Sequence, residues 1–159
     1  MSQRVEDRLR DLGYELPAVP HPAGSYVPTA FVTGALLFTA GQLPFKDGRL
    51  PYTGKVGDVV SVEEAKEVAR LCILNALAAI EAETGSLENV RRIVKVTGYV
   101  ASAAGFNDQP EVMNGASDLL GVLFGEKGLH ARTAVGVTEL PLGAPVEVEL
   151  IVELADSRR

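Results

Sequence analysis

HARTAVGVTELPLGAPVEVELIVEL, residues 130–154, reads as two β-strands about a turn. Successive strand residues point to opposite faces. In the second strand that sets Val146, Val148, Leu150, Val152 and Leu154 on one face, and Glu147, Glu149, Ile151 and Glu153 on the other. The first face must pack on a core. The second is polar yet carries Ile151, which points to partial cover, and a second copy of the chain is the natural candidate to supply it. Pro141-Leu142-Gly143-Ala144-Pro145 forms the turn and is expected to set Arg132 and Glu147 on adjacent strands. A guanidinium can hold a small anion, and a partly buried carboxylate can move a proton.

Working back from this stretch, Pro110 suits the first turn of a helix. Val112, Ala116, Leu119 and Leu123 form its buried stripe, with Met113, Leu120 and Phe124 beside them, and Gly125 or Gly128 ends it. Asn114 sits among these apolar neighbours. IVKVTGYVAS alternates Val94, Val96, Gly98 and Val100 against Lys95, Thr97 and Tyr99, which predicts a strand, and SLENVRR before it reads as a short helical turn. Ser61 and Glu64 have the spacing of a capping box, so a helix is predicted from Ser61 to about Glu83, stopped by Gly85. Its apolar stripe is broad enough to lie flat on a sheet, and Cys72 within it reads as a small buried hydrophobe.

AFVTGALLFTAGQLP predicts two short strands joined at Thr33-Gly34-Ala35. Val5 to Leu12 predicts a short amphipathic helix stopped by Gly13, followed by an arm in which Pro17, Pro20, Pro22 and Pro28 exclude regular structure. Residues 1–24 therefore read as an N-terminal helix and proline-rich arm, and residues 25–159 as the main domain. The element order, β-β-α-β-α-β-β with helices on one side, is that of an α+β sandwich.

The totals exclude several classes of function. The chain has 159 residues, enough for one domain with its own core. A formal charge of −6 with dispersed Lys and Arg argues against a nucleic-acid partner. One cysteine and two histidines offer no clustered metal motif. The charged N-terminus lacks the apolar stretch of a signal peptide, and no run approaches a membrane span. A cytoplasmic location is the expectation. His130, a lone histidine in the loop after Gly128, reads as incidental.

Four motifs, SYVPT, FTAGQLP, TGSLENVRRIVKVTGYV and ARTAVGVTELPLGAPVEVE, occur in this order between Ser25 and Leu154. Together they resemble the Rid family of reactive intermediate deaminases, also called YjgF-like and, in older usage, L-PSP endoribonucleases. The N-terminal extension resembles a longer subgroup of that family. The resemblance implies a chorismate-mutase-like α+β fold, a mixed sheet with two helices on one face, assembled as a homotrimer with active sites between subunits. It implies hydrolysis of enamines and imines of the 2-aminoacrylate and 2-iminopropionate type to 2-oxo acids and ammonia, with no metal or organic cofactor.

Carried over onto this chain, the resemblance makes Arg132 the clamp for the substrate carboxylate and Glu147 the acid that positions or activates water. Tyr26, Gly41 and Asn114 line the same cleft. The chain departs from the common pattern at Ala40, where many members have Ser, and at Ala134, where many have Cys. Those losses motivate an alternative reading, a non-catalytic module that binds a small carboxylate such as a 2-oxo acid. RNA cleavage ranks last, because the chain is acidic and offers no pair of catalytic histidines.

Overall fold

The computed structural model describes residues 3–32 and 34–155. The elements are α1 (Val5–Asp11), β1 (Thr29–Val32), β2 (Leu36–Thr39), α2 (Val62–Thr84), β3 (Val90–Ala101), α3 (Gln109–Phe124), β4 (Ala131–Val137) and β5 (Val146–Leu154). The strands form one sheet in the order β1-β2-β5-β3-β4, antiparallel throughout except for the parallel pair β3–β4. Helix α3 links those two strands, because a parallel pair needs a crossover connection. The α+β architecture is as expected.

Local chemistry explains the helix ends. The Ser61 hydroxyl accepts from the Glu64 backbone N–H, and the Glu64 carboxylate accepts from the Ser61 N–H at 2.8 Å, completing the capping box. Gly85 closes α2 at φ 84°, a left-handed conformation that glycine adopts without cost. Helix α2 buries Val68, Ile73, Leu77 and Ile80 in the core over the inward face of β5, and Cys72 is fully buried among them. Helix α3 lies so close to α2 that a Cβ on Gly115 would overlap the Lys66 backbone carbonyl. Helix α1 joins this core through Val5 and Leu9, and the Arg8 guanidinium donates to the Leu123 carbonyl at 2.7 Å. Helices α2 and α3 therefore cover one face of the sheet, as expected, and α1 packs on α3.

Three expectations need correction. Strand β3 begins at Val90, so Arg91 and Arg92 lie in the strand, and only Leu87–Asn89 make the helical turn before it. A bulge between Ile93 and Lys95 breaks the alternation, so Ile93 is the fully buried residue while Val94 is only partly buried. The third concerns the opening stretch. Pro141–Gly143 does form a tight turn, yet it does not make β4 and β5 neighbours, because β3 lies between them. The hairpin turn between β1 and β2 includes Thr33, which lies outside the described residues; Gly34 in it has φ 102°. Among the described residues no helix is long and apolar enough to cross a membrane.

Candidate active site

Register places Arg132 and Glu147 apart. Arg132 pairs with Val96, whose side chain is buried under the helices. Glu147 pairs with Tyr99 on the opposite, helix-free face. Within one chain the two are separated by two strand spacings, about 10 Å, and by three residues along β3, about 10 Å more. They also point to opposite sides of the sheet. The five residues singled out from sequence thus fall into two groups.

The first group surrounds Glu147. Tyr26, Gly41 and Glu147 line one cleft of about 780 Å³, together with Ala40, Phe45 and Leu142. Loop 43–45 is held in place by buried Asn75 of α2, whose side-chain amide donates to the Phe45 carbonyl at 2.9 Å and the Leu43 carbonyl at 3.3 Å. The Tyr26 hydroxyl accepts from the Ala23 N–H at 3.1 Å, which ties the proline-rich arm to the cleft rim.

Gly41 is required here for space. A Cβ on it would fall on the Glu147 Oε1 and lie 2.9 Å from the carboxyl carbon. The Tyr99 hydroxyl donates to Glu149 at 3.1 Å, and Glu147 has no hydrogen-bond partner among the described residues. Burial, and secondarily the nearby Glu149 charge, raise the Glu147 carboxyl above its ordinary pKa.

This raised value has a consequence for stability. The folded chain keeps the Glu147 proton to higher pH than the unfolded chain does. Stability is therefore lost as pH rises from the unfolded pKa through the folded one. Glu147→Gln removes that burden, so the variant is expected to melt a few degrees above wild type at neutral pH. The gap should close as pH falls below the ordinary carboxylate value of about 4.3. Thermal unfolding across that range reads this directly, and identical melting temperatures at neutral pH would contradict it.

The second group surrounds Arg132. Its Nη1 donates to Asn114 Oδ1 at 2.9 Å and to Ser117 Oγ at 3.0 Å, and its Nη2 to the Pro110 carbonyl at 3.3 Å. All three acceptors lie on one stripe of α3, at spacings of four and three residues. Among the described residues no carboxylate pairs with Arg132. Asn114 thus touches Arg132 and, through its amide nitrogen, Glu111 at 3.0 Å. Ala134 lies two residues along β4, packed partly against the core, so Ala40 and Ala134 belong to different groups. Reading the sequence missed Asn75, Ser117 and the carbonyl of Pro110. For Ser117 a signal existed, since a residue three positions after Asn114 shares its helix face. No group of His, Cys, Asp and Glu among the described residues is arranged to hold a metal ion.

Comparison with known proteins places these two groups in context. A family model described as "YjgF/chorismate mutase-like, putative endoribonuclease" matches residues 6–154. The chain belongs to the YjgF family. Protein TCP17 of Trypanosoma cruzi is 44% identical over 154 residues, covering 96% of each chain. A 2-iminobutanoate/2-iminopropanoate deaminase of Dermatophagoides farinae is 28% identical over 136 residues, covering 86% of this chain and 91% of that one. Among solved structures, a protein of unknown function from Agrobacterium tumefaciens is 44% identical with a TM-score of 0.87, covering 94% of this chain and 91% of that one. The match from residue 6 onward takes in α1 as well as the sheet and the long helices.

Proposed function

We propose that this YjgF-family chain hydrolyses reactive enamines and imines of small 2-amino acids to 2-oxo acids and ammonia. The observation that carries the reading is Glu147, a half-buried carboxylate of raised pKa, without a hydrogen-bond partner among the described residues, facing a cleft that only glycine at position 41 leaves open. A carboxylate of raised pKa in such a place suits proton transfer to and from water at an imine carbon. Arg132 supplies the complementary element, a guanidinium held by neutral acceptors and paired with no carboxylate among the described residues, suited to a substrate carboxylate. The deaminase name of the Dermatophagoides relative lends support.

Arg132 and Glu147 face away from each other in one chain, so this reading takes each site to be built from two copies, in a homotrimer. The helix-free sheet face suits such packing, since Phe38, Ile151 and Val135 interrupt its polar residues, and Phe38 and Val135 are exposed. Tyr26, Gly41 and Glu147 of one copy would face Arg132 and Asn114 of the next. No cofactor enters the proposed reaction.

The reaction is tested by generating imines with an amino-acid oxidase and following their loss on addition of purified protein. Wild type is expected to accelerate loss, and Arg132→Ala and Glu147→Gln to lower kcat/KM roughly 100- to 1,000-fold. Equal rates for all three at the uncatalysed level would end the proposal. The losses at Ala40 and Ala134 favour the second reading, a binding module for small carboxylates. Calorimetry showing pyruvate bound equally by wild type and Glu147→Gln, with no turnover by either, would select it.

A further inference from the structure

Arg132 is held by more than helix α3. A guanidinium carries five N–H donors. Three of them already reach protein acceptors, which leaves the Nε–H and one Nη2 N–H. Two donors on neighbouring nitrogens are what a carboxylate fork requires. Whether they face outward depends on the Nη1 end being fixed, because arginine has a long, rotamer-rich side chain.

Ser117 and His130 supply that fixing. The Ser117 Oγ lies 3.0 Å from both Arg132 Nη1 and His130 Nε2. The His130 Nδ1 lies 2.6 Å from the Gly128 carbonyl. A carbonyl can only accept, so Nδ1 carries the proton and donates. In the neutral ring Nε2 is then an acceptor, and the Ser117 hydroxyl donates to it. The lone pairs of Ser117 are thereby left to accept from Arg132, and every bond in the chain has one direction. Its anchor is rigid, since Gly128 packs so closely on α3 that a Cβ would lie 2.8 Å from the Leu120 carbonyl carbon. A carboxylate in place of Ser117 would hold the arginine more strongly, but it would neutralise the charge that draws an anionic substrate.

We infer that Ser117 and His130 are positioning residues, a hydroxyl–imidazole relay anchored on Gly128 that aims the Arg132 guanidinium at a substrate carboxylate. This rests on the reading of Arg132 as the carboxylate clamp. His130 therefore has a task that its isolated place in the sequence does not suggest.

The test compares wild type, Ser117→Ala, Ser117→Thr and His130→Ala, with Ser117→Ala also made in an Arg132→Ala background. Imine hydrolysis gives KM and kcat, and calorimetry with pyruvate reads the clamp without turnover. Ser117→Ala removes a hydrogen bond to a charged group and is expected to raise KM and the pyruvate Kd about tenfold, with kcat changed less than about threefold. His130→Ala should have a smaller effect in the same direction, about threefold, and Ser117→Thr, which keeps the hydroxyl, should restore most of the affinity. In the Arg132→Ala background the Ser117→Ala effect should vanish, which a general loss of packing would not produce. A wild type that hydrolyses imines while Ser117→Ala and His130→Ala keep its KM and Kd overturns the relay and leaves the proposed function standing. An equal tenfold loss with and without Arg132 also overturns it. Pyruvate binding without imine hydrolysis would remove the deaminase reading, while a tenfold weaker Kd in Ser117→Ala would still support the relay.

Discussion

Mixing Arg132→Ala and Glu147→Gln chains is expected to raise imine hydrolysis far above the residual rate of either variant alone. Each variant lacks one of two groups that the fold places on opposite faces of the sheet, so neither can complete a site with copies of itself. In a mixed assembly an intact site forms wherever a Glu147→Gln chain contributes its arginine to an Arg132→Ala chain that contributes its glutamate. In a closed ring of three that holds both kinds of chain that is one site in three, so roughly a third of wild-type activity per site should return. The mixed assemblies are made by co-expression with distinct tags and sequential capture, and the rate is compared with each parent. Recovery has no route if both groups serve a site within one chain. A mixed preparation as inactive as its parents would therefore sink the two-copy site.

Gly41→Ala carries the second large effect, and it is a matter of space. The added methyl would occupy the place of the Glu147 Oε1, so the carboxylate must swing out of its position. Displacing a reacting group by about 1 Å can cost on the order of 100-fold in rate, and a loss of that size in kcat is expected. Circular dichroism should show the fold intact. In a Glu147→Gln background the same substitution should cost little more, because the two changes act on one group. A Gly41→Ala enzyme as fast as wild type would mean that the Glu147 carboxylate does not need the position it holds here.

Much of the fold was legible because its signals are local. The Ser61–Glu64 capping box, the Gly85 stop, the Pro110 start and the alternation of Val146 to Leu154 each act within a few residues, where sterics and nearby hydrogen bonds decide the outcome. Ile93 shows the limit of that reasoning. A bulge depends on the partner strand, so no pattern within β3 alone reveals that Ile93 rather than Val94 is turned fully inward. The site divides in the same way. The family resemblance points to Arg132, Glu147, Tyr26, Gly41 and Asn114. It marks neither Ser117 nor Asn75, because each acts on a segment elsewhere in the chain.

Signals within the chain were enough for the order of the elements, the inward face of β5 and the family. Its pattern of caps, breakers and alternation leaves few choices for each segment. That β3 runs between β4 and β5 emerges in the folded chain alone, because no turn between consecutive strands can dictate it. That one insertion turns an apparent cluster of charges, Arg132 beside Glu147, into two separate groups on opposite faces of a sheet. Strand order is set by the burial of whole faces against α2 and α3, a balance summed over the entire core.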